Sequence, residues 1–179
     1  MSTVEPIKNI SDLRKIEKLL AKNMRDLILF DLGINCGLRI SDILSLDIKN
    51  VKNKNNIELF EKKTGKYKKF PLNSKMITLL YDYVKNKDEN EPLFKTVYNN
   101  RMDRITAYRI LKQACSCLNI NIKVGTHTLR KTFGYHFYKK FDDIVLLQKI
   151  FNHSTPNTTL RYIGLEQEEI DEKYMQFIL

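Results

Sequence analysis

Apolar residues recur at three- and four-residue intervals along most of the chain, and this spacing predicts helices. In residues 11–20, SDLRKIEKLL, the stripe Leu13, Ile16, Leu19 and Leu20 follows Ser11 as a candidate N-cap. Residues 24–35, MRDLILFDLGIN, are apolar on more than one side, which predicts a more buried helix, and Gly37 offers its stop. Ser41 is the expected cap of a short helix reaching Leu46. The period then changes. Residues 57–60 (IELF) and 68–72 (KKFPL) flank a turn holding Thr64 and Gly65, which predicts a hairpin. Helical spacing returns behind Ser74, with Ile77, Leu80, Tyr81 and Val84 in register. It continues over 106–118, 128–140 and from Asp142 to about Phe151. Thr155-Pro156 reads as an N-cap with proline at the first helical position, opening a short helix that Gly164 ends. Residues 166–178 read as a last amphipathic helix. The expected class is mostly α with one small antiparallel β element.

Composition narrows the class without fixing it. The chain has 179 residues, 42% hydrophobic and 29% charged, with six glycines and four prolines. That is one domain's length and an ordinary globular balance. No apolar run approaches the ~18 residues that would span a bilayer, and the first ten residues lack a secretory apolar stretch, so a cytoplasmic protein is expected. Cys36, Cys115 and Cys117 are an odd number without framework spacing, which fits a reducing compartment, and Cys115 falls on a predicted core face.

Charge changes the picture more. Lys and Arg total 31 against 21 Asp and Glu, a net +10. Residues 166–179 hold five acids and one lysine, a local −4, so the first 165 residues carry +14. A polyanionic partner is expected for that part and not for the tail. Residues 52–69 alone hold seven lysines against two glutamates, which makes the hairpin a basic surface.

Several polar residues then form a chemical set. Arg39 follows the break at Gly37, lysines surround the hairpin turn, and His127 and Arg130 lie three apart at one helix start. His153 follows an apolar helix, and Tyr162 comes nine residues later. Two arginines can clamp the non-bridging oxygens of a phosphodiester. A tyrosine can form a covalent phosphoenzyme, but its phenol, with an ordinary pKa near ~10, needs a base. His127 could serve as that base or bond the phosphate, and a lysine could protonate the departing oxygen. So many cations leave no need for a metal. His136, beside Tyr135 and Tyr138, reads as structural.

The order and wording of these segments resemble the tyrosine recombinase (phage integrase) family. Its first box is met by residues 37–46, GLRISDILSL. Its hairpin lysine is met by Lys63 in KTG, ahead of Phe70-Pro71-Leu72, with Lys62 and Lys66 as rival assignments. Its His-x-x-Arg box is met by residues 127–132, HTLRKT. Its last two boxes are met by residues 151–154, FNHS, and 158–162, TTLRY. Lys131 stands where the family often has histidine, and Asn152 where glycine usually precedes the histidine.

By that resemblance Tyr162 is the nucleophile, forming a 3′-phosphotyrosyl bond and freeing a 5′-hydroxyl. Arg39 and Arg130 hold the phosphate, Lys63 protonates the leaving oxygen, His127 is the acid–base group and His153 orients the phosphate. No metal or other cofactor is used. The implied fold is the catalytic fold of DNA breaking-rejoining enzymes. The implied partner is double-stranded DNA, with a monomer when free and a tetramer on DNA. Lys66, Lys68, Arg101, Arg104 and Lys131, together with Lys63, are the expected phosphate contacts. The resemblance treats residues 1–179 as one catalytic domain, with residues 1–22 an N-terminal helical extension and 166–179 a helix that docks onto a neighbouring protomer. No separate core-binding domain is expected. Two other readings remain: a non-catalytic DNA-binding module that modulates a full-length recombinase, and a type IB topoisomerase-like enzyme working as a monomer.

Overall fold

The computed structural model describes residues 4–165 and 174–178. Among the described residues, eight α-helices and one hairpin follow in the order α1 (Ile10–Leu20), α2 (Met24–Cys36), α3 (Ile40–Ile43), β1 (Asn56–Phe60), β2 (Tyr67–Pro71), α4 (Ser74–Val84), α5 (Arg104–Cys117), α6 (Thr128–Phe141), α7 (Ile144–Phe151) and α8 (Pro156–Ile163). The architecture is mostly α with a two-stranded antiparallel sheet, as expected. The expected helix over 166–178 lies largely outside the described residues; within it, residues 174–176 are helical.

Helix α2 is the hub. Its residues 27–33 are all buried, and it packs against α1, α3, α4, α5 and α6. Its near-uniform apolarity follows from that position, since few of its faces meet water. One cluster joins α2, α4 and the inner face of the hairpin through Ile28, Leu32, Ile57, Phe70 and Leu80. A second joins α1, α2 and α5 through Ile16, Phe30 and Leu111, and includes Cys115. A third holds α7 and α8 onto α6 through Leu147, Phe151, Ile163 and Leu165. The approach of these last helices is close. A Cβ on Gly134 of α6 would stand 2.6 Å from Ile163 and 2.8 Å from Phe151.

The hairpin pairs Ile57 with Phe70 and Phe60 with Tyr67. Only one of its faces is covered. Ile57 and Phe70 point into the core, while Phe60 and Tyr67 lie exposed and edge-to-face at 5.7 Å.

The helix starts differ from expectation by one or two residues. Asn9, not Ser11, caps α1, and it accepts the Ser11 N–H. Helix α4 opens at Ser74 as expected, with Asn73 as its cap. Asp143, not Asp142, caps α7, because Asp142 has φ 51° and closes α6 in the left-handed conformation. The helix after Arg39 ends at Ile43 rather than Leu46. Thr155 and Gly164 cap α8 as expected.

Candidate active site

The site begins at the end of α2. Gly37 has φ 62°, the left-handed region that glycine enters without a Cβ penalty. A Cβ there would also stand 2.6 Å from the Phe133 ring. This turn places Arg39 as the N-cap residue of α3 and exposes the Gly37 carbonyl to α6. Arg130, in the first turn of α6, donates through Nη1 to that carbonyl at 2.6 Å and through Nη2 to the Phe151 carbonyl at 2.9 Å. Its guanidinium also lies 4.3 Å from the centroid of the Phe151 ring. One buried cation therefore ties the end of α2 to the end of α7.

Arg39 is held differently. Its Nη1 lies 2.7 Å from Glu61 Oε1 and 3.9 Å from Asp42 Oδ2, and both carboxylates are buried. Asp42 Oδ1 in turn accepts the Lys62 main-chain N–H at 3.1 Å. Burial pushes the Glu61 carboxyl up, but hydrogen bonds from Thr64 and Arg39 and the charges of Lys68 and Arg39 outweigh it and hold it low. Glu61 was not among the residues singled out in the sequence. The signal was alternation: Ile57, Leu59 and Glu61 share the inward hairpin face, and Lys68 lies opposite Leu59.

The C-terminal segments bring the two histidines and the tyrosine to the same place. Asn152 closes α7 with φ 55°, which explains asparagine at a glycine position, since Asn tolerates this conformation better than most residues. The turn after it delivers His153, whose Nδ1 lies 3.1 Å from Thr159 Oγ1 on α8. Tyr162, on the last turn of α8, has its Oη 3.1 Å from His127 Nδ1. Its ring packs edge-on against those of His153 and Phe151, at 5.0 and 5.6 Å between centroids. Burial raises the Tyr162 phenol despite the nearby Arg130 and Arg39 charges. Burial and the charges of Arg130, Lys131, Arg39 and Lys63 lower His127. The same kinds of cause, burial first, bring His153 down to about 4. Both imidazoles are thus neutral near pH 7, and His127 can accept a proton from the phenol.

Arg39, His127, Arg130, His153 and Tyr162 therefore converge. Lys63 lies exposed on the hairpin turn, close enough for its charge to bear on both histidines. Lys68 points inward, where its Nζ donates to the Ile150 carbonyl and lies 3.7 Å from Glu61 Oε1. Burial lowers its pKa, with Glu61 opposing and Arg130 and Arg39 adding to the fall. Lys66 is exposed on the turn and donates to Asn152 Oδ1 at 3.0 Å.

Three expected phosphate contacts, Lys68, Arg101 and Lys131, are instead engaged by groups of the protein itself. Arg101 donates to the carbonyls of Leu44 and Leu46 at 3.0 and 3.1 Å and pairs with Asp47 at 2.5 Å. It clamps the turn after α3. Lys131 is buried; its Nζ donates to the Val4 carbonyl at 2.8 Å and lies 5.2 Å from the Tyr162 ring centroid. Arg104 remains exposed at the start of α5. His136 has the structural role read from its surroundings, with its Nε2 2.9 Å from the Ile7 carbonyl. Among the described residues, no cluster of His, Cys, Asp and Glu could hold a metal ion, and no helix is long and apolar enough to cross a membrane.

This arrangement of helices recurs in solved structures. The XerA recombinase superposes with a TM-score of 0.79 at 21% identity, over 98% of this chain and 66% of that one. A lambda integrase dimer bound to a COC′ core site gives 0.71 at 13% identity, over 91% of this chain and 49% of that one. The fold is thus that of the tyrosine recombinase catalytic domain.

Sequence comparison carries the assignment further. Residues 7–169 match the phage integrase family. The probable integrase/recombinase YoeC of Bacillus subtilis strain 168 is 45% identical over 179 residues, covering 99% of this chain and 98% of that protein. Tyrosine recombinase XerD of Staphylococcus epidermidis is 27% identical over 95% of this chain, which spans 63% of XerD's length. A tyrosine recombinase of Pseudothermotoga lettingae is 30% identical, and the chain spans 57% of it. The chain belongs to the phage integrase family, whose members are tyrosine-type DNA strand transferases and site-specific recombinases.

Proposed function

We propose that this chain cleaves and rejoins double-stranded DNA through Tyr162. The observation that carries this is the 3.1 Å approach of Tyr162 Oη to His127 Nδ1 within the field of Arg39 and Arg130. The phenol's raised pKa calls for a base, and the depressed pKa of His127 makes a neutral imidazole available beside it. Tyr162 Oη attacks the phosphorus and its proton passes to His127. The bond to the 5′-oxygen breaks, and Lys63 protonates that oxygen. A 3′-phosphotyrosyl bond remains, and a 5′-hydroxyl attacking it reverses every step. Arg39 and Arg130 spread the phosphate charge through their free N–H groups, and His153 orients it.

The neighbouring lysines Lys63 and Lys66 and the exposed Arg104 meet DNA phosphates, which fits the +14 on residues 1–165. Four protomers assemble on two sites. Tyr174, Met175, Phe177 and Ile178 are exposed apolar residues, as a tail that docks onto a neighbouring protomer requires. A groove of about 650 Å3 lined by Tyr67, Phe70, Phe133, Phe137 and Phe141 offers an apolar surface for it. The place of action is the cytoplasm, with the chromosome.

The test mixes the protein with supercoiled plasmid carrying the DNA that adjoins its own gene, followed by quenching with SDS. Protein–DNA adduct or relaxed topoisomers with the native chain, absent with Tyr162→Phe, support the reading. Salt-sensitive binding without adduct refutes catalysis by this chain and leaves a DNA-binding module.

A further inference from the structure

An acid sits in the middle of the cationic site. Glu61 directly follows β1, and its side chain has no exposed surface. Its Oε1 lies 2.7 Å from Arg39 Nη1 and 3.7 Å from Lys68 Nζ, and its Oε2 accepts from Thr64 Oγ1 at 2.6 Å. The Glu61 main chain also closes the turn that carries Lys63. Its N–H donates to the Lys66 carbonyl at 2.9 Å, and its carbonyl accepts from Gly65 at 2.8 Å.

Burying a carboxylate is costly unless it is paired, and here the partners are the site's own cations. The two residues before it on this face, Ile57 and Leu59, are apolar. Packing alone would be served by another of the kind. A carboxylate beside Arg39 also opposes any phosphate that Arg39 binds. Its presence weakens ground-state binding of an anion, so its benefit must lie in geometry. A guanidinium has five N–H donors. The contact through Nη1 fixes the group from one side and leaves other donors for a phosphate.

We propose that Glu61 is a positioning residue: it holds Arg39 and Lys68 in place beside the phosphate seat and couples them to the turn that presents Lys63. This rests on the reading of Arg39 as a phosphate ligand. It implies opposite effects on binding and on chemistry. Glu61→Gln keeps the size of the side chain and removes its charge. Phosphate affinity rises by roughly tenfold, the size of one unit charge at close range in a partly wet site. Cleavage slows by about ten- to a hundredfold, the usual cost of losing the alignment of a reacting group. Glu61→Asp keeps the charge and restores part of the rate.

The experiment titrates the full chain with inorganic phosphate, by calorimetry or amide chemical shifts, and measures single-turnover adduct formation on the same plasmid. Arg39→Ala, which should lose phosphate binding, is the control. Tighter phosphate binding with slower cleavage in Glu61→Gln is the expected result. An unchanged phosphate affinity, or a cleavage rate within about twofold of the native chain, overturns the proposal. A residue that merely packs would lower the melting temperature and leave phosphate affinity alone. If the native chain forms no adduct at all, the proposed function fails, and the phosphate titration still decides the role of Glu61.

Discussion

Replacing Gly37 with alanine tests how the fold builds the site. Two separate penalties apply. The residue has φ 62°, which costs an alanine about 1 kcal/mol. The new Cβ would stand 2.6 Å from Cδ1 and Cε1 of Phe133, well inside contact, and overpacking of that kind costs about 1–3 kcal/mol. The expected loss is therefore about 2–4 kcal/mol, within the ~5–15 kcal/mol of a typical domain, so the variant folds. Gly65→Ala is the natural control, because Gly65 has φ +66° and nothing within 4 Å of its Cβ position. It should lose only the first penalty. At roughly 3 °C per kcal/mol for a chain of this length, Gly65→Ala melts about 3 °C low and Gly37→Ala about 6–12 °C low. Calorimetry at neutral pH measures both. Gly37→Ala should also lower adduct formation, because the Gly37 carbonyl accepts from Arg130. Melting temperatures within about 2 °C of each other would refute the close packing of Phe133 on this turn.

Other consequences follow from charges paired within the protein. Arg101→Ala removes three internal contacts and should cost about 1–3 kcal/mol in urea unfolding, while the salt dependence of DNA binding stays as in the native chain. A flattened salt slope would return Arg101 to the DNA interface. Asp31 is fully buried on α2, beside Lys75 of α4, which also pairs with Glu17 of α1. Burial raises its carboxyl from 3.8 to about 6, with Lys75 opposing and Glu17 adding a smaller rise. The raised value means that Asp31 favours the folded state below pH ~4 and that this favour is lost as pH rises through about 6. Asp31→Asn should accordingly gain stability relative to the native chain as pH rises from 4 to 6 and hold that gain above it. A difference that does not vary with pH would show that Asp31 is ionised throughout.

Much of this was legible along the chain because local rules decide it. The Thr155-Pro156 start and Gly164 stop of α8 each use one residue type suited to one conformation. Helix starts were misplaced where two capping residues adjoin. Asp142 and Asp143 are chemically alike, and only the left-handed turn at Asp142 assigns the cap to its neighbour. The residues that converge at the site were readable because they occupy fixed positions in short segments. What was not legible is how a charge is spent. Arg101 lies in a basic surface stretch, and nothing in its neighbours shows that Leu44 and Leu46 turn their carbonyls toward it. Glu61 looked like one of two acids diluting a lysine run. Its burial follows from hairpin register, which brings Lys68 and Arg39 over it across a distance in sequence.

The two arginines show why the same residue type need not be equally replaceable. Arg130 is oriented by two main-chain carbonyls from different segments, Gly37 and Phe151, that only a forked guanidinium can satisfy together. A lysine there reaches one and leaves the other buried without a donor, at a cost of about 1–3 kcal/mol. Arg39 is oriented by the carboxylates of Glu61 and Asp42, a point-charge contact that an ammonium group can reproduce. Both substitutions forfeit bidentate contact with a phosphate, so both should reduce adduct formation. Only Arg130→Lys should also destabilise the fold, by about 3–9 °C in melting temperature. Equal melting temperatures for Arg39→Lys and Arg130→Lys would show that the carbonyl clamp does not set the position of Arg130. The unequal result would separate the arginine that joins two helix ends from the one that the hairpin's acid holds ready.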